Sequence, residues 1–97
     1  MMAGPPDPEA LERVADFYAR FYHETPNDAE AAEDVRLTLR DRPEERARLV
    51  EAFENLLAAD LPPGAQKEFV RRHANRLSAN DEHARTFIVD SYRDFAE

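Results

Sequence analysis

The side chains of this 97-residue chain best suited to chemistry are three histidines, two serines and a run of carboxylates. Nucleophilic catalysis needs a hydroxyl or thiol held against a base. The chain has no cysteine, and Ser78 and Ser91 stand in no motif that would activate them. His23, His73 and His83 show none of the paired helical spacing that places two imidazoles on one metal. Glu30, Glu33 and Asp34 could gather around Ca²⁺ or Mg²⁺, but the loop spacing and the glycine of an EF-hand are missing. Gly4 and Gly64 are the only glycines, so no loop is built to cradle a phosphate. These patterns lead us to expect no catalytic site, no metal and no cofactor.

The carboxylates are more informative as a charge distribution. Thirteen Lys and Arg against 21 Asp and Glu give a net charge of −8. Such a balance repels phosphate backbones and anionic lipid surfaces, so neither nucleic acid nor membrane is the expected partner. No apolar run approaches the roughly 20 residues that span a bilayer, and Met1–Pro8 lacks the basic and apolar regions of a signal peptide. With cysteine absent as well, the expected location is the cytoplasm. Residues 1–34 hold nine acidic and two basic side chains. Within them Glu24, Asp28, Glu30, Glu33 and Asp34 follow one another with no Lys or Arg between. Two readings remain open at this stage. Carboxylates in the first turn of a helix are favoured by its dipole, by about 0.3–1 kcal/mol each; alternatively the set forms an electrostatic docking surface for a basic partner.

The elements that must position these residues read as helices throughout. The stretch Pro43 to Gly64 is the hub. Val50, Phe53 and Leu57 form one apolar row, Leu49, Phe53 and Leu56 another, and the two make a face broad enough to be packed from both flanks. Before it, Asp7 caps a helix from Pro8 to about Tyr22 with Leu11, Val14, Ala15, Tyr18, Phe21 and Tyr22 facing inward and Phe17 to one side. Thr25-Pro26 breaks the chain, and Asn27 or Asp28 caps a second helix to about Arg40 on the row Ala32, Val35, Leu39. After Leu61-Pro62-Pro63-Gly64 a fourth helix is predicted from Ala65 to Leu77, with Phe69, Val70, His73 and Leu77 inward; Lys67, Arg71, Arg72 and Arg76 lie opposite as the complement of the acidic first third. A last helix runs from about Asp81 to Phe95 on Ala84, Phe87, Ile88, Ser91, Tyr92 and Phe95. The expectation is an all-α bundle of about five helices in a single domain, with residues 1–7 frayed. His73 is expected in the core and His83 in solvent.

The order of features resembles a known family. An aromatic helix carrying Phe17-Tyr18 and Phe21-Tyr22, an acidic turn, a second helix, then Arg42-Pro43-Glu44-Glu45-Arg46 leading into Leu49–Leu57 and a Leu61-Pro62 break are similar to the small all-helical immunity proteins of bacterial contact-dependent growth inhibition systems. The likeness spans residues 11–77. It implies a cytoplasmic protein that binds the toxic domain of an incoming effector and blocks it sterically, without catalysis. Many such toxins carry basic substrate clefts, which an acidic protein reaches quickly by steering. The charge map then names the contacts: Glu24, Asp28, Glu30, Glu33 and Asp34, with Phe17 or Tyr22 as an aromatic anchor. The alternative keeps the fold and makes it a regulatory adaptor for another basic partner, or a protein that assembles with itself.

Overall fold

Proline at N1 and an aspartate before it open the first helix as the sequence requires: the Asp7 carboxylate accepts from Glu9 N at 3.0 Å. In the computed structural model, which describes residues 4–96, five helices follow: α1 (Pro8–Phe21), α2 (Asp28–Leu39), α3 (Pro43–Ala58), α4 (Ala65–Ala74) and α5 (Asp81–Ala96). No strand occurs among the described residues. The all-helical architecture expected from the periodicity is the one observed.

Why the core closes is a matter of aromatic volume. Phe17 and Tyr18 on α1 meet Phe53 of α3, the Phe17 ring standing perpendicular to it at 5.2 Å and Tyr18 at 5.8 Å. Phe95 of α5 completes this cluster at 5.3 Å from Phe53 and 5.4 Å from Phe17, while Phe87 packs on Tyr18 and Tyr22. Edge-to-face contacts of this kind add about 0.5–1.5 kcal/mol each beyond the area they bury. The hub is therefore shared: α3 packs against α1, α2 and α5, whereas α4 packs on α1 and α5. The wide face of α3 is covered, but not by both of its neighbours in sequence.

Three sequence expectations meet corrections here. Phe17 does not lie to one side; it is 3% exposed at the centre of the core, because α1 is covered on several sides and its apolar arc exceeds one stripe. The fourth helix stops at Ala74, where Asn75 takes the left-handed conformation at φ 56° and turns the chain. Leu77, expected inward, is consequently 89% exposed. His73 is half-buried against Phe69, ring centroids 4.7 Å apart, and not in the core. The frayed start expected for residues 1–7 falls partly outside the described residues; within them, Gly4 O accepts from Asp60 N and Asp7 N donates to Asn55 Oδ1, both at 3.0 Å, so the backbone at Gly4 and Asp7 is tied to the end of α3.

Candidate partner-binding surface

The acidic stretch sits on α2 and the turn before it. Asn27 caps the helix, its Oδ1 accepting from Ala29 N at 2.9 Å and Glu30 N at 3.2 Å. From that start, Ala31, Ala32, Val35 and Leu39 face the core. The opposite face is then fixed by the helical period: Glu30, Glu33, Asp34 and Leu37 fall at i, i+3, i+4 and i+7 and all are exposed. Three of the five predicted acidic residues are thus brought together on one outward stripe.

The other two are placed elsewhere. Asp28 shares the angular position of the buried row and reaches across the end of the helix to Arg76, Oδ1 lying 2.8 Å from Nε and 2.7 Å from Nη2. Glu24 stays in the turn between α1 and α2, beside a shallow dent shared with His23, Pro26, Asn75 and Arg76. The guanidinium of Arg76 also donates to the Tyr22 and Ala74 carbonyls at 3.1 and 3.0 Å and to Thr25 O, and Asn75 Nδ2 donates to His23 O at 3.3 Å. This network stitches the turn after α4 onto the turn before α2. Among the described residues, Arg76–Asp28 is the one ion pair joining the basic residues after Gly64 to the acidic first third; Arg71 instead pairs with Glu68 on its own helix.

Neither aromatic candidate is available as an anchor. Phe17 is in the core, and Tyr22 is 2% exposed beneath the Arg76 guanidinium, 5.8 Å from its ring centroid. Burial raises the Tyr22 phenol above its usual pKa, against a lowering pull from the Ser91 hydroxyl. The sequence reading missed Leu37, which is 53% exposed on the acidic stripe, and the structural role of Arg76. A signal for the first was present: Leu37 is off the Ala32, Val35, Leu39 row and four residues after Glu33.

Around Leu37 the surface is not flat. Leu37, Leu39, Pro43 and Phe95 line a groove of about 630 Å³ between α2, the start of α3 and the end of α5, together with the charged Glu33, Asp94, Arg36, Arg40 and Arg46. Arg46 is committed to the fold, donating at 2.7 Å to each of the Phe95 and Ala96 carbonyls and so capping α5. Glu30, Glu33 and Asp34 take no ion pair among the described residues, nor do Arg36 and Arg40.

The carboxyls that shift clearly are Glu68, lowered by hydrogen bonding to Arg71, and Asp81, lowered by the Lys67 and Gly64 amides. Both move away from the range a general acid needs at neutral pH. Partial burial, and then Arg72, pushes the His73 imidazole down. No group of three or more His, Asp or Glu among the described residues is disposed to hold a metal ion, and no helix there is long and apolar enough to cross a membrane. No protein-family model, curated protein or solved structure matches this chain.

Proposed function

We propose that the protein is a non-catalytic binder that neutralises a bacterial toxin domain, docking the outer face of α2 on a basic surface of the toxin and occluding it. The observation that carries this reading is the arrangement of Glu30, Glu33 and Asp34. Glu30 and Asp34 stand at i, i+4, a spacing at which like charges destabilise a helix by about 0.2–0.5 kcal/mol, and among the described residues neither they nor Glu33 take an ion pair. The dipole favours Glu30 in the first turn but reaches Glu33 and Asp34 less. An outward stripe of three carboxylates without ion pairs suits a partner that supplies the cations.

The resemblance to immunity proteins gives that partner a class, and the acidic excess fits the basic clefts of nuclease toxins. Binding would be fast at low salt and would slow as salt screens the approach. The test is protection: the genes beside this chain's own are screened for a domain that arrests growth when expressed, and cells expressing that domain should grow when the wild-type chain is co-expressed. They should fail to grow with Glu33→Lys plus Asp34→Lys at equal protein level. Growth arrest in the presence of wild-type protein would overturn the neutralising role. Protection that survives both charge reversals would move the docking site off α2.

A further inference from the structure

A single exposed leucine needs no explanation on a soluble protein, and Leu77 is such a case: it is 89% exposed on a turn and lines none of the grooves described above. Leu37 differs in three ways. It lies in the last turn of α2 on the outer face, with Glu33 and Asp34 one turn and Glu30 two turns before it and Arg40 three residues after it. Its side chain borders the groove between α2, α3 and α5, where Pro43 is exposed, Leu39 and Phe95 are buried at the base, and Glu33, Arg36, Arg40, Arg46 and Asp94 bring charge to the walls. The charges around it are unspent: neither the three carboxylates nor Arg36 and Arg40 are engaged in ion pairs with the rest of the described fold.

From this geometry we propose that Leu37, at the edge of this charge-lined groove, is the apolar anchor of the docking surface. The partner it fits presents an apolar recess or side chain rimmed by Lys or Arg on the side that meets Glu30, Glu33 and Asp34. An apolar centre inside a charged rim is the organisation of a specific protein interface. The signs also differ across the seat. Carboxylates lie one and two turns N-terminal to Leu37 and the unpaired Arg40 guanidinium three residues C-terminal to it, so a partner bound in reverse would set its cations against Arg40. The polarity of α2 therefore specifies one orientation, in which an acidic group of the partner faces Arg40. A second copy of this chain fits poorly, because its net charge of −8 opposes the acidic stripe.

This assignment rests on the reading of the chain as a toxin-binding protein. The experiment measures association of the full chain with the growth-arresting domain found beside its gene, by surface plasmon resonance at two salt concentrations, for wild type, Leu37→Ala, Leu37→Met, Leu77→Ala, Glu33→Lys and Arg40→Glu. The expected result is at least a tenfold loss of affinity for Leu37→Ala, appearing in dissociation and insensitive to salt, with binding kept by Leu37→Met and by Leu77→Ala. Glu33→Lys should slow association at low salt, and Arg40→Glu should weaken binding. Thermal unfolding of each variant separates loss of contact from loss of fold. If wild type binds and Leu37→Ala binds within twofold of it, the anchor is overturned while the neutralising role stands. Unchanged affinity for Arg40→Glu overturns the orientation. If wild type does not bind the toxin domain at all, the functional reading falls and the anchor with it.

Discussion

Arg76 Nη2 stands 2.7 Å from Asp28 Oδ1, yet the two partners are unequal: the Arg76 side chain is 18% exposed and that of Asp28 is 60% exposed. The ion pair is the smaller part of what Arg76 does. Its guanidinium also serves the Tyr22, Thr25 and Ala74 carbonyls at the meeting of two turns, of which Tyr22 O accepts from Thr25 N as well. Removing it takes a donor from all three carbonyls and from the Asp28 carboxylate. Arg76→Ala should therefore destabilise by about 2–3 kcal/mol, whereas Asp28→Ala, breaking only a half-solvated pair, should cost about 0–1 kcal/mol. Urea unfolding of the two variants checks the order. Equal losses would mean that the ion pair, and not the carbonyl clamp, holds the turns together.

A second carboxylate acts across a helix boundary. Asp81 opens α5, but its two oxygens accept from Gly64 N at 2.6 Å and Lys67 N at 3.0 Å, so it caps α4 from outside. Those amides, with Lys67 the larger influence, hold its carboxyl below the usual 3.8. A folded-state pKa below the unfolded one contributes stability above the unfolded value, and the contribution is lost as pH falls through the folded value. Asp81→Asn keeps one acceptor and turns an NH₂ toward the other amide. Its deficit in thermal stability should be full at pH 7 and should close as the pH is taken below 3.8. A deficit that stays constant down to pH 2 would assign the loss to shape and not to charge.

In the core, Tyr18 is wholly buried and its hydroxyl has no hydrogen-bond partner. The Ser91 hydroxyl lies near enough to favour the phenolate, but it donates to Phe87 O at 2.8 Å, and desolvation dominates, pushing the phenol well above its ordinary range. An unsatisfied buried hydroxyl costs about 1–3 kcal/mol. Tyr18→Phe keeps every ring contact and removes that penalty, so it should raise stability by about 1 kcal/mol, or about 4–8 °C in Tm for a domain of this size. Differential scanning calorimetry decides; a lower Tm would show that the hydroxyl is satisfied in solution.

Helix positions were legible wherever a local signal decides them. Asp7-Pro8, Asn27 and Pro43 each open a helix through side-chain or ring chemistry that acts within three residues, and the structure uses all three. The end of α4 was not legible. Asn75 in the left-handed conformation is one option among several for that residue, and it is chosen because Arg76 then reaches the turn 22–28, a contact some fifty residues away in sequence. Phe17 fails for a related reason: periodicity shows which residues share a face, not how many neighbours a helix will have, and α1 has apolar contacts on more than one side. Spacing alone separates the acidic stripe of α2 from Asp28, which falls on the Ala32, Val35, Leu39 row; what spacing could not show is that Asp28 pairs with Arg76, forty-eight residues on.

That separation changes how the acidic surface should be tested. Reversing Asp28 would place an ammonium beside the Arg76 guanidinium and disturb the joined turns, so any lost binding would be mixed with lost structure. Asp34 carries no such obligation. It is exposed, has no ion-pair partner among the described residues, and lies four residues after Glu30. Asp34→Lys converts an i, i+4 repulsion into a Glu-to-Lys pair in the favourable direction, which should leave the fold as stable or more stable by about 0.2–0.5 kcal/mol. The same change removes a carboxylate from the proposed docking face and should weaken association with a basic partner, most at low salt. A variant that gains stability and loses binding would mark Asp34 as a contact residue, because the loss could not come from a weakened fold. If Asp34→Lys gains stability and binding is unchanged, the acidic stripe is a surface feature without a partner, and the docking site must be sought on another face.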